Sequence, residues 1–267
     1  MASSTRQAIA AGKETLKPLL ASADLNFAAD LFAIAEAIAS SVQLRNILSD
    51  PSAENAAKQG ALNAVFGKSA SMSAVEFVTS LVALRWSTGR DLVSGIEQLA
   101  VYAVAAISAA NKSIATLESE LFSVRQTIDS DQELQFALSS KTATSASKLA
   151  LIDALISKKV DAATSLLVRN AVLIARRERV SVVLEQFGKQ VSAFAQRLVA
   201  TVTVAAPLSD SQLARLGSAL EKSYGQALQL NIELDPTLIG GVRVQVADQI
   251  IDGSLSSRLN EARLQLA

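Results

Sequence analysis

The chain holds few residue types that perform chemistry. Its 267 residues include no histidine and no cysteine. This excludes thiol nucleophiles, disulfides, thiolate and imidazole metal ligands, and acid–base chemistry at an imidazole. An enzyme built on this chain would have to use carboxylates, lysine, tyrosine or hydroxyl groups. We therefore expect no catalytic residue, no cofactor site and no metal ligand.

The carboxylates do not form an acid–base pair. Glu118 and Glu120, like Asp129 and Asp131, lie two positions apart, so the members of each pair would not share a helix face. The sequence also lacks a Walker-type phosphate loop, a G-x-G-x-x-G after a strand, and a G-x-S-x-G nucleophile motif. Catalysis is therefore unsupported.

The glycine pair Gly240-Gly241 could cradle a phosphate, but it precedes a strand rather than a helix. No helix N-terminus would direct its amides at an anion there. A turn or bulge that needs a positive φ or a close backbone approach is the simpler interpretation. Asp252-Gly253-Ser254 is likewise typical of a turn followed by a helix N-cap.

Two further features have alternative interpretations. The run Arg176-Arg177-Glu178-Arg179 fits either a solvated helix end, whose cations favour the C-terminal dipole, or a contact with an acidic partner. The one tryptophan, Trp86, ends an apolar run. It fits core packing, with an interface hot spot as the alternative.

Composition indicates a helical protein without a polyanionic partner. Half of the residues are hydrophobic but 4% are aromatic, so alanine, leucine, valine and isoleucine dominate. The 25 basic and 25 acidic residues cancel, which argues against nucleic-acid binding and a basic membrane anchor. The start of the sequence lacks a signal-peptide core, and the apolar stretch 99–110 is shorter than the ~20 residues of a membrane span. We expect a soluble intracellular protein that reaches membranes only through partners.

A repeat links the first two thirds of the chain. Residues 31–48 and 121–138 match at a constant offset of 90 positions (121 − 31 = 90), with leucine, phenylalanine and isoleucine recurring in register. The same offset continues at Lys58 and Lys148, and a related match joins 96–99 to 184–187. We interpret this as a duplicated helical module of roughly 90 residues; chance alignment of Ala/Leu-rich helices is the alternative.

These patterns predict three domains. Apolar residues at helical spacing favour helical bundles in 1–110 and 111–197. From 198 onward, alternation predicts strands near 200–204, 228–234 and 242–246, a capped helix after Ser209, a short strand at Ile250-Ile251 and a closing helix. The predicted fold is mainly α: two tandem helical bundles followed by a small β-α-β-β-α domain at 198–267.

Several segments together carry a family resemblance. They are Leu238 to Val246, which reads LIGGVRVQV, the run IIDGS at 250–254, LLVR at 166–169, VLEQF at 183–187, and PLS at 207–209 followed by Leu213. Over roughly 112–267 the chain resembles the delta subunit of bacterial F-type ATP synthase, called oligomycin sensitivity-conferring protein in mitochondria. The extra copy in front is similar to the long bacterial form, in which the helical domain is doubled.

The resemblance implies a non-catalytic stator subunit, peripheral at the cytoplasmic face of the bacterial cell membrane. Its helical domain would bind the α subunits of the catalytic head, and its C-terminal domain would bind the b subunit of the stalk. The stalk contact would involve Gly240, Gly241, Val242, Val244, Ile251, Asp252, Gly253 and Ser254, and the head contact Arg176, Arg177 and Arg179. Which helical copy meets the α subunits stays open. The alternative is a helical-repeat adaptor of an unrelated complex.

Overall fold

The computed structural model describes residues 3–140, 142–156, 159–175, 178–195, 198–224, 228–235, 238, 241–246 and 249–252. Helices precede a small sheet in these residues, which confirms the predicted fold class. The predicted closing helix lies outside them. The helices are α1 Ser3–Leu19, α2 Leu25–Ser40, α3 Val42–Ser49, α4 Asn55–Phe66, α5 Met72–Val82, α6 Gly89–Ala110, α7 Ile114–Ser130, α8 Gln132–Ser139, α9 Ser145–Ile156, α10 Ala162–Ile174, α11 Val180–Phe194 and α12 Asp210–Tyr224. The strands are β1 Leu198–Val204, β2 Leu228–Leu234, β3 Val242–Val246 and β4 Gln249–Asp252.

The chain divides into two compact units, Met1–Val191 and Ser192–Ala267. Below these are called the helical unit and the C-terminal unit. The change of unit falls within α11, a few residues before the predicted boundary at 197. The predicted boundary at 110 lies inside the helical unit, so the division of this unit into two domains stays a prediction.

The duplication is visible in the helix bounds. Position 42 corresponds to 132 and 49 to 139, so α3 and α8 begin and end 90 residues apart. The same offset relates the first and last residues of α4 and α9. It also relates the last residues of α2 and α7, and the first residues of α5 and α10. Boundaries that coincide over four helix pairs indicate one structural module used twice.

Polar contacts repeat at the same offset. A polar residue caps α3 in the first copy and α8 in the second. A long side chain donates to a carbonyl near the end of α2 and, equivalently, of α7. A carboxylate on α2 accepts the N–H that precedes α5, and one on α7 accepts the N–H that precedes α10. The caps are Ser41 and Asp131, the donors Arg45 and Gln135, and the carboxylates Asp30 and Glu120. Similar composition alone would not reproduce these hydrogen bonds, so the duplication interpretation holds.

Helix α6 belongs to both copies. It follows α5 as α11 follows α10, so it closes the first copy. Moving α1 by 90 residues places it on positions 93–109, inside α6, so α6 also opens the second copy. Its packing agrees, because α6 contacts α1, α2, α3 and α5 on one side of the repeat and α7 and α10 on the other.

The length of α6 corrects one expectation. Gly89–Ala110 is a helix of 22 residues with a mean hydropathy of 1.5, long and apolar enough to cross a membrane by length and composition alone. However, 67% of the most apolar 18-residue segment of this helix is buried inside the protein, and Leu92, Ile96 and Leu99 are fully buried. The apolar surface of α6 is therefore used against its neighbouring helices.

Helix α2 joins the two copies. It packs against α10, and the rings of Phe32 on α2 and Phe187 on α11 have centroids 6.3 Å apart. Phe32, Ala28 and Ala35 are at most 2% exposed. At the equivalent positions of α7, Glu118 is 5% exposed and Arg125 lies over the Phe122 ring at 5.2 Å.

Two glycines let helices approach closely. A Cβ on Gly12 of α1 would lie 2.7 Å from Leu99 Cδ1, so the glycine brings α1 onto α6. A Cβ on Gly95 would lie 2.3 Å from the ring of Trp86. Trp86 is 8% exposed and donates its Nε1–H to the carbonyl of Leu81 at 2.7 Å, so the packing interpretation of Trp86 is confirmed.

Trp86 lies between two helices. Helix α5 ends at Val82, before Trp86, and α6 begins at Gly89. A Cβ on Gly89 would lie 2.8 Å from Arg45 Cγ and 2.9 Å from Ser49 Oγ. The glycine therefore allows α3 to approach the start of α6.

The C-terminal unit is a four-stranded sheet in the order β2-β1-β3-β4. Strands β1 and β2 are parallel and joined through α12, whereas β3 is antiparallel to both β1 and β4. Ser209 and Gln212 form the predicted capping box: the Ser209 N–H donates to Gln212 Oε1 at 2.8 Å, and the Gln212 N–H donates to Ser209 Oγ at 3.4 Å. Leu216 and Leu220 then place α12 against the sheet.

We predict that Gly95→Ala destabilises the helical unit by about 1–3 kcal/mol, because the added methyl group overlaps the Trp86 ring. The matched control is Gly60→Ala in α4, where a Cβ meets nothing within 4 Å. That control should stabilise the unit by about 0.5–1 kcal/mol. Urea unfolding followed by Trp86 fluorescence measures both. Equal stability of the two variants would contradict the packing account.

Acid should weaken the N-cap of α2. The Phe27 N–H and then the Asn26 amide donate to Asp24, and these bonds hold the pKa of its carboxyl below its usual value. A lowered folded-state pKa contributes stability that is present above the unfolded-state pKa and is lost as pH falls through the folded-state pKa. Asp24→Asn keeps a capping oxygen but removes the titration, so it should lose less stability than wild type between about pH 5 and pH 2.

The control is Glu54→Gln, since Glu54 precedes α4 without a side-chain capping bond. It should keep the wild-type pH dependence of the urea midpoint. An Asp24→Asn variant as acid-sensitive as wild type would show that the cap does not contribute.

Candidate partner-binding surfaces

Gly241 occupies a backbone conformation that favours glycine. Its φ is 88°, and it directly precedes β3. The expectation of a turn that needs a positive φ is therefore confirmed for Gly241. Gly240 lies outside the described residues, and so do Gly253 and Ser254. Gly241 is exposed, so its backbone is accessible to a partner.

The valines after Gly241 point toward the interior of the C-terminal unit. Val244 is 5% exposed and belongs to the apolar core, and Val242 is partly buried against the same core. On the neighbouring strand Ile251 pairs with Val244, and Asp252 pairs with Arg243. Val244 could therefore affect a contact with a stalk only indirectly, by stabilising the sheet. Val242 keeps some accessible surface.

The two faces of the sheet differ in chemistry. Ala200, Val202, Val204, Val244 and Val246 are at most 5% exposed and form one apolar face, on which Leu208, Leu216 and Leu220 pack. The register places polar residues on the other face, where Thr203 of β1 lies between Glu233 of β2 and Arg243 of β3. These three residues are below called the polar row.

The arginine cluster is only partly described. Arg176 and Arg177 lie outside the described residues. Arg179 is exposed and accepts the N–H groups of Val182 and Val183 through its carbonyl, so it stands at the N-terminus of α11. A cation gains nothing from the helix dipole there. For Arg179, the interpretation as a C-terminal helix end is therefore wrong, and a partner contact stays a prediction.

Sequence reasoning did not single out the exposed apolar residues of the helical unit. Met72 at the start of α5 is 77% exposed, and Phe136 on α8 is 78% exposed. At the offset of 90, these residues correspond to Ala162 and Asn46 of the other copy. Comparing the two copies position by position would have revealed both. The remaining members of this set are Val42, Ile47, Val65, Leu151 and Val182.

The described residues offer no evident site for chemistry. They contain no group of three or more histidine, cysteine, aspartate or glutamate residues that could hold a metal ion. A recess between the α1–α2 turn and the start of α5 has a volume of about 220 Å³, below the ~300 Å³ at which typical ligand pockets begin. The surfaces with distinctive chemistry are the turn at Gly241, the polar row, Arg179 and the exposed apolar residues of the helical unit.

A family model for the ATP synthase delta (OSCP) subunit matches residues 99–266. The match begins within α6, where the second copy of the module begins in the structure. It also covers the C-terminal unit as far as residue 266. The helices before α6 lie outside the match.

Relatives extend the similarity to the whole chain. An ATP synthase subunit delta of Streptomyces coelicolor is 38% identical over 272 residues, covering 100% of this chain and 98% of its own. One of Leifsonia xyli subsp. xyli is 39% identical and covers 100% of both chains. The first copy is thus shared with these relatives. A chain in a cryo-EM structure of the Toxoplasma gondii mitochondrial ATP synthase hexamer covers 62% of this chain and 94% of its own, but at a TM-score of 0.36 and 18% identity it carries no argument.

We predict that Gly241→Ala destabilises the C-terminal unit by about 1–2 kcal/mol, because an L side chain is strained at this φ. Hydrogen exchange of the β3 amides should accelerate accordingly. The matched control is Gly188→Ala in α11, where a Cβ meets nothing within 4 Å. That variant should leave β3 exchange unchanged. Unaltered β3 exchange in Gly241→Ala would refute a conformational role for this glycine.

Proposed function

Because the chain belongs to the ATP synthase delta (OSCP) subunit family, we propose that it is a non-catalytic stator subunit, located peripherally at the cytoplasmic face of the cell membrane. It would tie the α subunits of the catalytic head to the b subunit of the peripheral stalk. Proton-driven rotation is then coupled to ATP synthesis, since the head is held still. The observation that carries this proposal is the full-length similarity to proteins named ATP synthase subunit delta. It outweighs the alternative of an unrelated helical adaptor.

The physical character of the chain supports a mechanical role. Its net charge is zero, and it lacks the residue types of most catalytic sites. The helical unit has a long buried helix that contacts both copies of the module, which gives a stiff body on which to fix a load. A joint under torque also needs tight binding, and a nanomolar complex corresponds to about 12 kcal/mol.

We assign the head contact to the helical unit and infer that both copies take part. The reason is that each copy exposes a large apolar side chain that the other lacks, Met72 in the first and Phe136 in the second. Exposed apolar side chains of this size are common anchors at protein interfaces. The first copy would thus add a second contact with the α subunits. Arg179, exposed at the start of α11, is a candidate for an acidic neighbour in the same interface.

Depletion of the chain should uncouple the enzyme. Membranes that lack it are expected to lose ATP-driven proton pumping, while ATPase activity moves from the membrane to the soluble fraction because the head detaches. Adding back the purified chain should restore both. Proton pumping that persists without the chain would contradict a stator role.

Single substitutions can test the two-copy contact. Deleting residues 1–110 would remove α6 from the second copy as well, so that deletion cannot test the first copy alone. We predict that Met72→Ser and Phe136→Ser each weaken head retention about 5- to 30-fold, the equivalent of about 1–2 kcal/mol per lost anchor. Ile47→Ser, at a 47% exposed site on α3, is the control and should retain the head.

Head retention in a low-salt wash of membranes measures these effects. If Met72→Ser retains the head like wild type while Phe136→Ser releases it, only the second copy contacts the α subunits. If both retain it, neither side chain is an anchor.

A further inference from the structure

Strand β2 forms an open edge of the sheet in the C-terminal unit. It is hydrogen-bonded to β1, and among the described residues no strand pairs with its other side. The pairing with β1 runs without a bulge from Leu228 to Leu234, and the Asp235 N–H extends it to the Val204 carbonyl at 2.9 Å. Every second residue of β2 therefore directs its N–H and C=O away from the sheet.

This edge lacks most of the features by which proteins protect free strands. Natural edges are shortened, bulged, or interrupted by lysine or proline. Strand β2 has seven residues, Leu-Gln-Leu-Asn-Ile-Glu-Leu, with no lysine and no proline. Its one charged residue, Glu233, belongs to the polar row. An edge of this kind is suited to receive another strand.

An exposed apolar side chain lies on the same strand. Leu234 is 54% exposed, and it is the one large hydrophobic residue of the C-terminal unit that is exposed among those described. An alternating strand that joined β2 would place its apolar residues beside Leu230, Ile232 and Leu234, which continue the apolar face of the sheet. Main-chain hydrogen bonds and side-chain burial would then act together.

The faces of the sheet are less suited to a partner helix. Leu208, Leu216 and Leu220 already pack on the apolar face. The opposite face carries Thr201 and Gln245 in addition to the polar row, and an amphipathic helix would find no apolar groove among them. The free edge is thus the remaining apolar element of the described part of this unit.

We propose that the C-terminal end of the b subunit binds as an extended segment that adds a fifth strand to the outer edge of β2. This inference rests on the proposed function for the identity of the partner. It specifies how the partner is recognised: through its backbone and its alternating apolar residues. The chemistry of such a site is that of an unpaired strand edge, and no pocket is required.

Hydrogen exchange on the full chain, alone and with the b subunit, tests the proposal. About half of the seven β2 amides should exchange at least 10-fold more slowly in the complex, since these amides point away from β1. Amides of the inner strand β1 should change little and serve as the internal reference. A complex in which β2 exchanges at its free rate would overturn strand addition while leaving the stator function standing. Failure of the b subunit to bind the full chain would overturn both.

Substitution at the exposed leucine gives a second test. Leu234→Lys introduces the charge that natural edges use against pairing, and it should weaken binding of the b subunit at least 10-fold. Ile47→Lys, at a site of similar exposure in the helical unit, should bind like wild type. Thermal melting of both variants checks that they fold. A folded Leu234→Lys that binds the b subunit with wild-type affinity would count decisively against the proposal.

Discussion

The burial of α6 between two sets of helices is the constraint on which the helical unit depends. Leu92, Ile96 and Leu99 have no exposed surface, and removing any such side chain from water contributes about 1.5–3 kcal/mol. Because one helix closes the first copy and opens the second, neither copy has a complete core without it. The two copies of the module therefore share one core helix inside a single compact unit.

Equivalent positions of the two copies differ in chemistry. Helix α2 carries Ala28 and Ala35 where it packs against the second copy, and the same positions of α7 hold Glu118 and Arg125. Glu118 is 5% exposed, so α7 buries a carboxylate where α2 buries a methyl group. Burial of a charged group costs free energy unless it is paired, so the two equivalent helices of the module use their surfaces differently.

Much of this architecture could be predicted from the sequence because it depends on local patterns. The 90-residue repeat, the three main strands and the capping box at Ser209 follow from periodicity and turn chemistry. Helix α1 was not predicted, since Gly12 and Pro18 are poor helix formers and the helix depends on contacts with Leu81 and Leu99, far away in sequence. The double role of α6 was also missed, because periodicity does not reveal which helices share a core. The predicted stalk residues combine a turn at Gly241 with the buried Val244, and neither motif pointed to the open edge of β2 nearby.

The account depends most on the helical unit being a single cooperative body. Native-state hydrogen exchange at increasing urea concentrations measures this directly, by comparing the core amides of α2 in the first copy with those of α10 in the second. The account predicts that both sets open with the same free energy and the same dependence on urea, because both need α6. Opening of the first copy at a clearly lower free energy, with the second still protected, would contradict it.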